Sequence, residues 1–276
     1  MARSPAVAGS FYPGEKGELS RMLSLLFKQA KLDANVDFSN ARAFVAPHAG
    51  YEYSGYVAAY TYSAILGLSK RSQIDAFAII GPNHMGYGDF VTVSLEDWET
   101  PLGVAKNDKE FSQEIAKEGK FSTNEEEIAE EHSIEVQVPF LQYLFPNAKY
   151  SFICMSDQSI GASNAVSNAI LHAAEKQGKN IVVIASSDFD HYEPASVAES
   201  KDMPAIEAAE KLDHVLFNRL LAESGDTACG YGAITSAMLF AKAKGAKKGI
   251  LLKYGNSGHA TGDFSSVVAY ASMAFI

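Results

Sequence analysis

The chain has 276 residues, 47% of them hydrophobic and 20% charged, with a formal net charge of −10. That balance suits a globular protein with a large core, and the length suits one α/β unit. The acidic surplus, unrelieved by any Lys/Arg run, excludes electrostatic binding to nucleic acid or an anionic membrane, since neither polyanion gains from it.

Residues 1–13 lack the continuous apolar stretch of a signal peptide, and no later window approaches the about 18 apolar residues of a membrane span. A cytoplasmic protein is expected. Helical periodicity over residues 18–30 is followed by an apolar strand at Ala43–Ala46 and a helix over 55–66. Strands are predicted over 76–80 and 90–94, then a helix over 133–144. A strand over 150–155, a helix over 162–176 and a strand over 181–185 come next. Helices over 203–222 and 233–244 and strands over 250–254 and 267–270 close the chain. Several strands are continuously apolar rather than alternating, as expected when both faces are covered. The alternation of strands and helices predicts an α/β fold, a three-layer α/β/α sandwich. Its sheet should be mixed and mostly parallel, with 90–94 and the closing strands as antiparallel members. No repeat or long linker divides the chain, so residues 1–276 are read as a single domain. The acidic run 125–131 reads as a solvated loop or helix end. Two cysteines make no disulfide framework, and Cys154, within an apolar run, reads as a buried strand residue.

Ligands of open α/β sheets bind beyond the carboxyl ends of strands. The loops there are not random in content. Pro47-His48-Ala49-Gly50-Tyr51 follows the strand at 43–46, Gly81-Pro82-Asn83-His84 follows that at 76–80, and Ser186-Ser187-Asp188-Phe189-Asp190-His191 follows that at 181–185. Three of the seven histidines thus fall at one relative position in three strand–loop units, and parallel neighbours would bring them to one sheet edge. Neutral imidazole suits Fe, Cu, Zn or Ni, so the spacing alone selects no metal. The same rings could instead shuttle protons.

Cys229 opens a Gly-rich loop that feeds a helix. There the macrodipole can lower a thiol pKa and favour metal ligation or nucleophilic work, although a small buried packing residue fits equally. His132 sits just before a helix, where a neutral imidazole could face a substrate or simply cap the helix in solvent. His172 and His214 lie inside predicted helices and read as structural; His259 follows a loop that could form a rim. No dinucleotide fingerprint, P-loop, nucleophile elbow or Cys-x-x-Cys pair is present. A Ser186/Ser187, His191, Asp188 hydrolase is disfavoured because triad members normally come from separate elements.

Together with Ala8-Gly9-Ser10-Phe11-Tyr12-Pro13, Glu131-His132-Ser133-Ile134-Glu135, Cys229-Gly230 and the closing segment 263–271, these loops resemble the Memo family (mediator of ErbB-driven cell motility). The matching segments run in order along essentially the whole chain. The resemblance implies kinship in fold with class III extradiol ring-cleaving dioxygenases. It implies His48, His84 and Cys229 as metal ligands, with Fe(II) or copper as the metal, and Asp188 and His191 as further pocket residues. His191 corresponds to the acid–base group of the dioxygenases, with Asp188 expected to orient it and His132 to face the substrate. Cys229 stands where those enzymes have a carboxylate, so ring cleavage does not carry over. A radical-SAM protein of a shared modification pathway is the partner that the resemblance suggests.

Two functions compete at this point. One is a metal-dependent oxidoreductase acting on a small molecule. The other is a binding module for metal or a peptide ligand, with a groove lined by Tyr51, Tyr53 and Trp98.

Overall fold

The computed structural model describes residues 2–276. Its elements, in chain order, begin with β1 (Ala2–Arg3), α1 (Lys16–Gln29), β2 (Ala43–Ala46), α2 (Tyr51–Ser69) and β3 (Ala76–Pro82). A meander of β4 (Val91–Ser94), β5 (Asp97–Thr100) and β6 (Gly103–Asn107) leads into α3 (Lys109–Gly119). After 3₁₀ turns at Glu125–Glu127 and Glu135–Gln137 come α4 (Val138–Leu144), β7 (Lys149–Met155), α5 (Ile160–Gln177), β8 (Ile181–Ser186) and β9 (His191–Glu193). The chain ends with α6 (Ala195–Glu210), α7 (His214–Ser224), α8 (Tyr231–Ala243), β10 (Gly249–Asn256), α9 (Gly258–Thr261) and β11 (Val267–Phe275).

All the strands join one sheet in the order β1-β5-β6-β7-β3-β8-β2-β11-β10, with β4 on β7 and β9 on β11. The centre, β6 to β2, is parallel. β4, β10 and β11 are antiparallel members, as expected for 90–94 and the closing strands. Alternate residues of one strand feed separate cores. Ala43 and Val45 of β2 join an Ala-rich core with side chains of α3, α5, α6, α7 and α8. Phe44 and Ala46 join an aromatic-rich core with those of α1, α2 and α4. Helices therefore cover both faces, which is the three-layer sandwich, and explains why the central strands carry no polar alternation.

The predicted helix over 203–222 is two helices. The first, α6, begins earlier, at Ala195, and carries Pro204 in its interior. The chain then breaks at Leu212, which has a left-handed φ of 55°. Asp213 restarts it by accepting a hydrogen bond from the Leu216 N–H, a standard N-cap arrangement. No helix among the described residues is long and apolar enough to cross a membrane.

What matters for function is the order β3-β8-β2. These neighbours are parallel, so their carboxyl ends deliver three loops to one edge.

Candidate metal centre

His48 leaves β2 two residues after its end, His84 leaves β3, and Asp188 leaves β8. Cys229 reaches the same place from the loop between α7 and α8. It is held there by backbone pairing: the Cys229 N–H donates to the Asp188 carbonyl at 3.2 Å, and the Gly230 N–H to Ser187 Oγ at 2.9 Å. A Cβ on Gly230 would lie 2.2 Å from the Ser186 carbonyl oxygen, so glycine is required for this close approach.

One ligand atom each of His48, His84 and Cys229 lies within 4.8 Å of the others. His48 Nε2 is 3.0 Å from Cys229 Sγ, and the His48 and His84 rings meet edge to face with centroids 5.2 Å apart. A second grouping of Asp188, His191 and Cys229 shares the same thiol. Two imidazoles and a thiol converging from three loops are a donor set that fits a soft or borderline transition metal. His132 adds a third ring, stacked on His84 at 4.6 Å, with Phe11 of the N-terminal segment 4.8 Å behind it.

The rings are oriented from behind. The buried Glu131 carboxylate accepts from the His84 N–H at 2.6 Å, lies 3.0 Å from His84 Nδ1, and accepts from the Ser133 N–H at 2.7 Å. Burial alone would raise Glu131, but these hydrogen bonds hold it down at about 2. An ionised carboxylate only accepts, so His84 Nδ1 donates and Nε2 is left for a ligand. This corrects the reading of 125–131 as a solvated run, because Glu131 is fully buried. The available signal was its place beside His132 and Ser133.

Burial governs the other groups. It pushes His48 well below the usual imidazole range, helped by His84, His132 and His191. It also lowers His132 and His191. Asp188 rises to about 7, and the Cys229 thiol rises well above its usual value. The helix-dipole lowering expected for Cys229 is thus outweighed by desolvation. Neutral rings and a protonated thiol minimise buried charge; a bound cation would favour the thiolate.

Asp188 Oδ1 accepts from the His48 and Ala49 N–H groups at 2.8 and 3.3 Å, so it braces the His48 loop. The partner of His191 is instead Thr227, whose Oγ1 accepts from the His191 N–H at 2.8 Å and stands 3.4 Å from its Nδ1. Thr227, missed in the sequence, donates its own hydroxyl to Asp190 Oδ1 at 3.0 Å.

His48, His84, His132, Asp188 and His191 line a cavity of about 540 Å³, walled by Phe11, Tyr53, Tyr192, Val268 and Tyr270. Among the described residues, no Lys or Arg lines it. Of the aromatic groove residues expected, only Tyr53 is present. Tyr51 and Trp98 are core residues, Trp98 stacking on Phe152 at 4.3 Å beneath the Arg3 guanidinium. Ser186 and Ser187 are fully buried, and Ser186 contacts His48 rather than His191, so neither serine is presented as a nucleophile. Cys154 is buried in β7 as expected. His172 is largely exposed, and His214 opens α7. His259 packs between Tyr56 and Phe264, while its neighbours Ser257 and Thr261 line the cavity.

The family model for Memo-like protein matches residues 3–274. The chain belongs to the Memo-like family. A MEMO1 family protein of Nitrosopumilus maritimus is 42% identical over the full length of both chains. One from Methanopyrus kandleri is 38% identical over 100% of this chain and 99% of its own. One from Thermoplasma acidophilum is 41% identical over 99% and 98%. The Memo-like match spans the strand–loop units and the α7–α8 loop that together build the site.

Proposed function

We propose that this Memo-like protein is a metal-dependent oxidoreductase, with His48, His84 and Cys229 holding Fe(II) or copper. The observation that carries this reading is the convergence of the three donor groups, two of which, His48 and His84, line a cavity large enough for a small organic molecule. The ring nitrogens of His48 and His84 that face away from the site are engaged with Ser186 and Glu131, so each ring can offer Nε2 to a cation. The soft thiol favours copper(I) and would alter the redox behaviour of iron. A metal held there supplies electron transfer.

The chain's own groups do the rest. His191 is the proton-transfer residue. Thr227 spends its hydroxyl proton on Asp190, so toward His191 it accepts from Nδ1–H and leaves Nε2 as the base. Burial keeps that ring neutral near physiological pH, as a general base must be. His132, against Phe11, faces the substrate. Phe11, Tyr53 and Tyr192 give the cavity an aromatic wall for it to lie against. Asp188 fixes the His48 loop.

A non-catalytic binding role is the second reading, favoured by the exposed rings of Tyr53 and Tyr192 at the cavity rim. Oxygen uptake or peroxide formation by Fe(II)- or copper-loaded protein, supplied with a reductant, separates the two. The oxidoreductase requires metal-dependent uptake that is abolished in Cys229→Ala, and in His191→Ala is reduced by about 10²–10⁴-fold when proton transfer limits the rate. A metal-loaded protein that stays redox-silent with every reductant and candidate substrate tried supports the binding role.

A further inference from the structure

The relay behind His48 is determined by two carbonyl groups. Gln137 and Ser186 are fully buried. Gln137 has one side-chain group 2.9 Å from the Pro47 carbonyl oxygen. A carbonyl only accepts, so that group is the amide NH₂. Its second N–H points at Ser186 Oγ, 2.7 Å away. The Gln137 amide oxygen faces the other way and accepts from the Tyr62 hydroxyl. Ser186 is constrained in the same manner. Its hydroxyl stands 2.6 Å from the Ser133 carbonyl oxygen, which again only accepts, so the single Ser186 proton is used there. Toward Gln137 and toward His48 Nδ1, 2.9 Å away, Ser186 Oγ is left with lone pairs. The proton between Ser186 and His48 must therefore sit on the ring.

We infer that Gln137 and Ser186 are positioning residues that hold His48 in the tautomer protonated at Nδ1, so that Nε2 presents its lone pair toward Cys229. The inference deepens the metal reading and rests on it for its purpose, but not for its geometry. Every polar group in the relay is satisfied in one arrangement only. Reversing the His48 tautomer would set the Nδ1 lone pair against the lone pairs of Ser186, inside a core where an unmade hydrogen bond is costly. Glu131 does for His84 with a charged acceptor what Ser186 does for His48 with a neutral one. Ser133 serves both, its N–H donating to Glu131 and its carbonyl accepting from Ser186.

Nitrogen-15 ring correlation spectra of the metal-free protein, paired with anaerobic Fe(II) titration against a chelator, test this. The wild-type His48 ring should be protonated at Nδ1. Ser186→Ala, which removes the acceptor, should shift the ring toward the Nε2–H form and weaken Fe(II) binding by about 10–100-fold, the usual effect of removing an outer partner of a ligating histidine. Tyr62→Phe removes a buried hydrogen bond without touching the two carbonyls, so it should lower stability and leave the tautomer unchanged. Wild-type His48 protonated at Nε2 overturns the inference whether or not any variant folds. So does a folded Ser186→Ala with the wild-type tautomer and affinity. A wild-type protein that shows the Nδ1–H ring but takes up no Fe(II) sustains the relay and rejects the metal reading.

Discussion

Burial acts on two acidic side chains behind the site with opposite outcomes. Glu131 keeps its charge because several N–H groups point at it. Asp202 does not. It is fully buried, and desolvation together with the facing Asp226 carboxyl pushes it up to about 9; Asp226 is raised by burial too. Asp202 belongs to α6 and Asp226 to the loop that carries Cys229. The folded protein thus binds a proton that the unfolded chain releases at an ordinary carboxylate pKa. The contribution of Asp202 to stability is complete below that value and is lost as pH rises toward about 9. Thermal midpoints should fall between about pH 6 and about pH 9, and Asp202→Asn, which mimics the protonated acid, should flatten that slope. An unchanged slope in the variant would remove Asp202 as its source.

At this scale the sequence showed donors better than supports. His48, His84 and His191 stood out because each follows an apolar strand beside Gly or Pro. Gln137 and Thr227 did not, and Glu131 and Ser186 were visible only as motif members, since the importance of all four lies in which backbone carbonyls and N–H groups they meet, and those meetings span up to 90 residues of chain. Trp98 and Tyr51 misled for the converse reason: aromatic rings suit a groove and a core alike, and here the core takes them.

Among the elements, the segment Glu131–Gln137 organises the site although it contributes only a short 3₁₀ turn. Glu131 orients His84, His132 enters the cavity, Ser133 links both histidine supports, and Gln137 begins the relay to His48. Glu135 in its middle secures the N-terminal segment. Its carboxylate accepts from Arg3 Nη1 at 2.8 Å, the Ala6 and Val7 N–H groups at 2.7 and 3.0 Å, and the Tyr12 hydroxyl at 2.6 Å. This holds Phe11 against His132 as one wall of the cavity. Glu135→Ala would leave the Arg3 charge buried and unpaired, a loss of about 3–5 kcal/mol. Urea unfolding should show that loss, with faster proteolysis near residues 3–13. A variant with wild-type stability and an intact N-terminus would contradict the role. The motif at 8–13 was visible in the sequence, but its wall function depends on Glu135, whose place in the 131–135 motif does not disclose its contacts with residues 3–12. The broken helix at 203–222 is a similar case, since the apolar spacing runs on across Leu212 while the backbone turns left-handed there and Asp213 starts a new helix.

For the molecule as a whole, the three-layer α/β/α arrangement and the edge that carries the site were legible from apolar runs and the loops that follow them. The parallel order β3-β8-β2 realises that edge. β5, β6 and α3 escaped because β5 and β6 are short and partly exposed, and α3 carries a mixed, strongly charged sequence. His48, His84 and Cys229 at that edge are the proposed metal ligands. The most direct test is elemental analysis of wild-type and Cys229→Ala protein, purified without oxygen and without a metal-binding tag. The proposed centre should hold about one equivalent of iron or copper per chain in the wild type, falling sharply in the variant. Metal absent from both, with none taken up on titration, would contradict it.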